Sequence, residues 1–247
     1  GISTVALTSA TGAQNGLLNA GDVVTATVTF DEAVTVTGTP QLALNIGGTT
    51  VQADYDAGSN STELTFTYTI LANQTDADGI SIDANSLALN SGTIADAAGN
   101  AAVLTHSAVA DNSSYEVDAS APTVTAVSIP DVAMNVGDTV TATITVSGAT
   151  GEALTLASSN VGGFTLGSLS KTNDTTYTAT FTVAEGGTDV LAGSDIPVSV
   201  QLVDPAGNTS NTFTTAISQS SDSIDANAPG ISTVALTSAT GAQNGLL

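Results

Sequence analysis

The chain has 247 residues, with 23 acidic side chains against one lysine and no arginine, a formal net charge of −22. Without a basic patch to meet phosphate, it is not expected to bind nucleic acid or an anionic membrane surface. The absence of cysteine removes disulfides and thiolate metal sites, and the apolar runs fall far short of the roughly 20 residues that cross a bilayer. A hydrophobic fraction of 41% with clear periodicity sets it apart from disordered acidic chains.

Taken in chain order, the pattern is period-two alternation. "VVTATVTF" turns Val24, Ala26, Val28 and Phe30 to one face and Thr25, Thr27 and Thr29 to the other. "ELTFTYTI" does the same with Leu64, Phe66, Tyr68 and Ile70. "TVTATITV" follows with Val140, Ala142, Ile144 and Val146, and "YTATFTV" with Tyr177, Ala179, Phe181 and Val183. Such alternation marks strands with one buried and one wet face, and Gly, Asn and Asp clusters punctuate them at short spacing. No stretch has helical periodicity, so the expected fold is all-β. His106, in "VLTHSAV", is expected to be an ordinary strand residue, since the partner ligands of a histidine metal site are absent. The Thr rows follow from strand propensity and need no ligand-binding face to explain them.

The halves match each other. "AGDVVTATVTF" from Ala20 corresponds to "VGDTVTATITV" from Val136, and "DAAGN" at Asp96 to Asn100 corresponds to "DPAGN" at Asp204 to Asn208. "VDASAPTVTAV" from Val117 corresponds to "IDANAPGISTV" from Ile224. The expected organisation is therefore two tandem sandwiches, 1–118 and 119–226, with Pro122 and Pro229 holding short extended linkers. A longer period is superimposed on this one. The eighteen residues from Gly1 to Leu18 recur from Gly230 to Leu247, so 227–247 reads as linker and first strand of a next copy in a tandem array.

These landmarks carry a resemblance. The G-D before the second strand, "GTPQLAL" from Gly38, the D-x-A-G-N loops and the D-A-x-A-P linkers resemble bacterial immunoglobulin-like extender repeats of giant calcium-dependent RTX adhesins exported by type I secretion. The resemblance covers essentially the whole chain, although the second half lacks the GTPxLxL block. It implies immunoglobulin-like β-sandwiches, an extracellular place at the cell surface, a role in adhesion and biofilm, and calcium clamping successive domains.

The residues themselves admit little catalysis. One His, one Lys and no Cys or Arg leave most nucleophile–base arrangements without parts, and no enzymatic activity is expected. Acids gather at strand ends and linkers, where a hard cation with oxygen ligands fits, and calcium (Ca2+) suits irregular loops best. The competing explanation is that Asp and Asn simply favour turns. In an immunoglobulin-like sandwich the loop bearing Asp204 and Asn208 lies at the domain's N-terminal end. It is expected to face the linker with Glu116 and Asp118, and Glu152 is a further candidate there. By the same logic Asp96 and Asn100, with Asp31 and Glu32 as further candidates, face the linker of a preceding copy, which carries the counterpart of Asp225. "DADG" holds Asp76 and Asp78 but has Leu87 where an EF-hand needs a bidentate Glu. Its alternatives are another calcium site and an acidic surface turn.

The expected function is mechanical. Calcium-stiffened domains, monomeric in solution and partnered by neighbouring repeats, project a distal binding region from the cell. The alternative is an extracellular module that itself binds glycans or proteins.

Overall fold

The computed structural model describes residues 1–149, 151–219 and 223–236. The first half contributes strands β1 (Ile2–Thr11), β2 (Leu17–Leu18), β3 (Val23–Thr37), β4 (Gln41–Ile46) and β5 (Thr49–Ala57). They are followed by β6 (Ser61–Thr69), β7 (Thr75–Asp76), β8 (Leu87–Ala88), β9 (Thr93–Asp96) and β10 (Glu116–Asp118). The main sheet runs β1-β3-β6-β5-β4-β8, with β9 paired to the far end of β3, and a small sheet runs β2-β10-β7. Alternation places Val24, Ala26, Val28, Leu64 and Phe66 inside, each completely buried, and Leu18 and Val117 of the small sheet close the same core. Burial of each such large side chain contributes about 1.5–3 kcal/mol. The Thr rows meet outside, with Thr25 opposite Thr67 and Thr27 opposite Thr65.

β3 breaks its own alternation. Asp31, Glu32 and Ala33 are all exposed before Val34 is buried again. The register with β6 shifts there, and on the other edge of β3 the partner changes from β1 to β9, so that Val34 lies between Ser61 and Asp96. A bulge of this kind re-aims side chains at a strand end. Here it leaves Glu32 beside the Asp96–Asn100 turn, the two lining one small hollow.

In the second half the strands are β11 (Thr123–Ser128), β12 (Met134–Asn135), β13 (Thr139–Ser147), β14 (Thr155–Leu156), β15 (Asn160–Val161) and β16 (Phe164–Thr165). After them come β17 (Ser170–Asn173), β18 (Thr176–Thr182), β19 (Val198–Ser199), β20 (Leu202–Val203) and β21 (Ile224–Asp225). One regular sheet, β11-β13-β18-β17, packs on short ladders formed by β14-β20, β16-β15-β19 and β12-β21. Val140, Ala142, Ile144 and Val146 of β13 and Tyr177, Ala179 and Phe181 of β18 build this second core. The fold is all-β: among the described residues the one helical turn is the 3-10 segment Ser113–Tyr115, capped by Asn112.

The halves share local construction as well as pattern. β2 runs parallel to β10 with Leu18 opposite Val117, and β12 runs parallel to β21 with Met134 opposite Ile224. Asp22 Oδ2 accepts the Asn19 N–H at 2.8 Å, and Asp138 Oδ2 accepts the Asn135 N–H at 2.7 Å. The G-D landmark is thus a turn in which the carboxylate ties off a backbone donor before the second long strand.

His106 is not a strand residue. It lies in an irregular segment, where its Nε2 accepts the Ser86 N–H at 2.9 Å and Nδ1 sits 2.9 Å from the Ser107 carbonyl. A carbonyl only accepts, so the proton is on Nδ1 and the ring pins the 85–86 turn. In the repeated tail, Ile231, Val234 and Leu236 are 86%, 86% and 93% exposed. Their copies Ile2, Val5 and Leu7 lie on β1, paired to β3. Among the described residues no strand pairs with 231–236, and an unpaired apolar face has nothing to bury against. The rest of the expected first strand, 237–247, lies outside the described residues.

Candidate metal centre

The linker strand β10 carries two acids on one side of Val117, because Glu116 and Asp118 flank that buried residue. Both line a cleft of 420 Å3 between the halves, together with Leu17, Asp76, Glu152 and Pro205. At its edge Asp118, Glu152 and Asp204 each offer a carboxylate oxygen, and these atoms all lie within 4.8 Å of one another.

Three parts of the second half hold this group in place. Asp204 is buried and closes its own turn: Oδ1 accepts the Asn208 N–H at 2.8 Å and Oδ2 the Asn208 side-chain amide at 2.9 Å. The same amide nitrogen donates to the Asp118 carbonyl at 2.7 Å, tying loop to linker. Asp118 Oδ1 accepts the Ser120 N–H at 3.2 Å, a local turn that sets its carboxylate. Glu152 is anchored through its backbone, whose carbonyl accepts the buried Tyr177 hydroxyl at 2.6 Å. The chain's one lysine braces the same loop: Lys171 Nζ donates to the Gly151 carbonyl at 2.8 Å and pairs with Asp174 at 3.0 Å. Tyr177 and Lys171 have no motif of their own, and only the β17–β18 hairpin brings them to this loop.

The electrostatics are unbalanced. Lys171 is engaged elsewhere, so no side-chain cation offsets the three carboxylates. Two like charges at this spacing repel by roughly 3 kcal/mol at an effective dielectric of about 20, before screening by salt. Burial raises the Glu152 carboxyl to about 7, with Asp118 and Asp204 adding to the shift. Asp118 is also raised, by burial first and then by Asp204. Glu152 Oε2 is buried and has no hydrogen-bond partner among the described residues. A buried oxygen is normally paired with a protein donor, an ordered water or an ion.

Oxygens this close together, all from carboxylates, form the donor set of a hard divalent cation.

The remaining candidates are placed differently. Glu116 lines the cleft but is not among the three. Asp76 is neither on a surface turn nor one of the three: it is buried, with Oδ2 accepting the Gly47 N–H at 2.8 Å and Oδ1 the Gly79 N–H at 3.0 Å. A Cβ on Gly47 would come 2.1 Å from the Thr75 carbonyl, so this corner depends on glycine. Asp78 is exposed. At the far end of the first half, Glu32, Asp96 and Asn100 line a hollow of 140 Å3. Asp96 is lowered below the usual carboxylate range, chiefly by the Asn100 side-chain amide. Asp31, next to Glu32 on β3, is exposed. Asp225 lines a separate hollow with Asn135 and Asn227, at the other end of the molecule.

The profile of the bacterial Ig-like domain matches residues 118–242, just over half of the chain. The chain belongs to the bacterial Ig-like domain family. The matched unit opens on the linker residue Asp118 and takes in Glu152, Asp204 and Asn208. Among solved structures, the fibronectin(III)-like modules of Clostridium thermocellum CbhA are similar at 14% identity, covering 88% of this chain and 94% of that one, with a TM-score of 0.33. No curated protein matches. No helix among the described residues is long and apolar enough to cross a membrane. As a bacterial Ig-like protein, the chain is of a type that serves as a structural or binding module, often outside the cell.

The raised Glu152 value has a consequence for stability. Its folded value of about 7 exceeds the 4.5 of the free side chain, so between those values the folded chain binds more protons than the unfolded one. Without calcium, stability is therefore expected to rise as pH falls from 8 to 5. Glu152→Gln should flatten much of that slope, and so should calcium. Melting curves in EDTA across this range measure it; an unchanged slope in Glu152→Gln would place the titration elsewhere.

Proposed function

We propose that the chain is a structural extender repeat of a secreted bacterial surface adhesin, with calcium holding successive domains in line so that a distal binding region stands clear of the cell. The observation carrying this reading is the meeting of Asp118, from the linker, with Glu152 and Asp204, from the domain that follows. An ion shared among them ties a linker to a loop and opposes bending at the joint. The orphaned Glu152 Oε2 supplies a ligand atom that otherwise lacks a partner. Extracellular calcium modules have dissociation constants of about 0.1–1 mM. Such a joint is loose at cytosolic calcium levels and closes outside.

The setting agrees with the composition. A chain without cysteine passes an unfolded-export route without disulfide chemistry, and metal takes the place of the covalent staple. Its partners are then neighbouring repeats of the same protein, and it has no catalytic role. Calorimetric titration of the chain with calcium tests the reading. Wild type is expected to bind with sub-millimolar to millimolar affinity, and Glu152→Gln to lose one site. Equal binding isotherms for the two proteins would remove the junction from the account.

A further inference from the structure

The junction between the halves has a second fastening that uses no carboxylate. The turn joining β1 to β3 in the first domain leans on the Asp204–Asn208 loop of the second. Asn15 Nδ2 donates to the Pro205 carbonyl at 2.7 Å, and Asn19 Nδ2 to the Ala206 carbonyl at 2.6 Å. Gln14 covers Gly207, whose φ of 89° favours glycine; a Cβ there would come 2.3 Å from Gln14 Nε2 and push that side chain aside. Ala206 is completely buried under this contact.

Both halves of that contact exist a second time, without their partners. The Asp96–Asn100 loop repeats the Asp204–Asn208 loop closely. Asp96 Oδ1 accepts the Asn100 N–H at 2.8 Å, Asp96 Oδ2 accepts the Asn100 amide at 2.7 Å, and Gly99 has the same φ of 89° as Gly207. Yet Ala98, the counterpart of the buried Ala206, is exposed, and a Cβ on Gly99 would meet nothing within 4 Å. At the opposite end of the molecule, Asn135 occupies the place of Asn19, with the same turn to an aspartate and the same parallel pairing beside it. Around it Val132 and Val136 are 54% and 39% exposed. Asp225 Oδ1 accepts the Asn227 N–H at 3.2 Å, as Asp118 accepts that of Ser120.

We infer that these two bare faces are complementary docking surfaces. The C-terminal face of the second domain, around Asn135, Val136 and Asn227, seats on the Asp96–Asn100 loop of a first domain in a following copy of this repeat. Asn135 Nδ2 donates to the Ala98 carbonyl there, and Asn100 Nδ2 to the carbonyl of Asp225. The occupant is a second copy because the chain after Pro229 restates its own first strand, and because the contact continues an interface already formed within the molecule. The position of Asn15 is taken by Asp131 in the second domain, so this joint has two amide contacts where the internal joint has three. The inference rests on the tandem-repeat reading and not on calcium.

The absence of native cysteine permits a direct test. In a protein where residues 1–229 are followed by the complete chain, Ala133→Cys is placed in the first copy and Ala97→Cys in the second, both exposed and neither a donor in the contact. A short bis-maleimide is added in EDTA and in calcium. A parallel protein carries the counterparts Leu17→Cys and Pro205→Cys, which face one cleft at the internal joint. A control replaces Ala97→Cys with Leu71→Cys, exposed at the other end of the first domain. Docking holds the pair at high effective concentration, so both junction pairs should link at least tenfold faster than the control, even in EDTA. If the Ala133–Ala97 pair links no faster than the control while the internal pair links fast, the inference fails. It fails also if linking needs calcium, which would leave the ion alone as the fastening.

Discussion

Millimolar calcium is expected to raise the melting temperature far more than sodium chloride at matched ionic strength. The two salts screen exposed carboxylates alike, because screening depends on ionic strength. A ligand that binds only the folded state adds RT ln(1 + [L]/Kd), about 2.7 kcal/mol at a hundredfold excess over Kd. For a domain of about 100 residues, each 1 kcal/mol shifts the midpoint by roughly 4–8 °C, so a gain of about 10 °C or more is in reach. The effect should centre on the second domain, which supplies Glu152 and Asp204. Scanning calorimetry should show the transition of the second domain moving upward. Glu152→Gln should lose most of the calcium gain while melting higher than wild type in EDTA at pH 8, since it removes a buried charge without removing volume. Equal melting curves in calcium and in EDTA would sink the metal reading of the junction.

How much of this was legible beforehand depends on how local each feature is. The long strands β3, β6, β13 and β18 announce themselves, because burial on one face forces a period of two that nothing else imitates. The short ladders β14-β20 and β16-β15-β19 do not: two-residue strands carry no period, and their pairing is decided by the core they cover. His106 shows the same limit, since an apolar neighbourhood suggested a strand where the backbone is held by a ring nitrogen instead. At the site, D-x-A-G-N marked Asp204 and Asn208 as one turn, but the part played by Asn208 could not be read. It satisfies both Asp204 oxygens and still reaches the linker carbonyl, a contact spanning 90 residues. Asn15 and Asn19 were invisible for the same reason. An asparagine in a turn is ordinary, and only the placed second domain gives its amide a carbonyl to meet. Asp76 shows the same limit from the other side: an acidic tetrapeptide suggests a surface turn, whereas here the carboxylate is buried with both oxygens on backbone donors.

Replacing Asp118 with Ala tests the stiffness of the joint separately from the integrity of the domains. The substitution removes a charged oxygen from the cluster and one 3.2 Å turn bond to Ser120, while the Asn208 contact to the Asp118 carbonyl is a backbone contact and survives. Both hydrophobic cores are untouched. Asp204→Ala is the harsher change, because its carboxylate also closes the loop that Asn15 and Asn19 grip. In calcium, Asp118→Ala is expected to stay folded but bend, giving a broader and more compact distribution in small-angle scattering than wild type. Wild type in EDTA should look the same, since each loses the ion by a different route. The amide contacts then act as the remaining hinge. Adding Asn15→Ala and Asn19→Ala to Asp118→Ala should widen the distribution further, whereas the two asparagine changes alone, in calcium, should do little. Asp118→Ala remaining as extended as wild type in calcium would mean that the ion does not hold this joint, and the asparagine contacts would carry the stiffness by themselves.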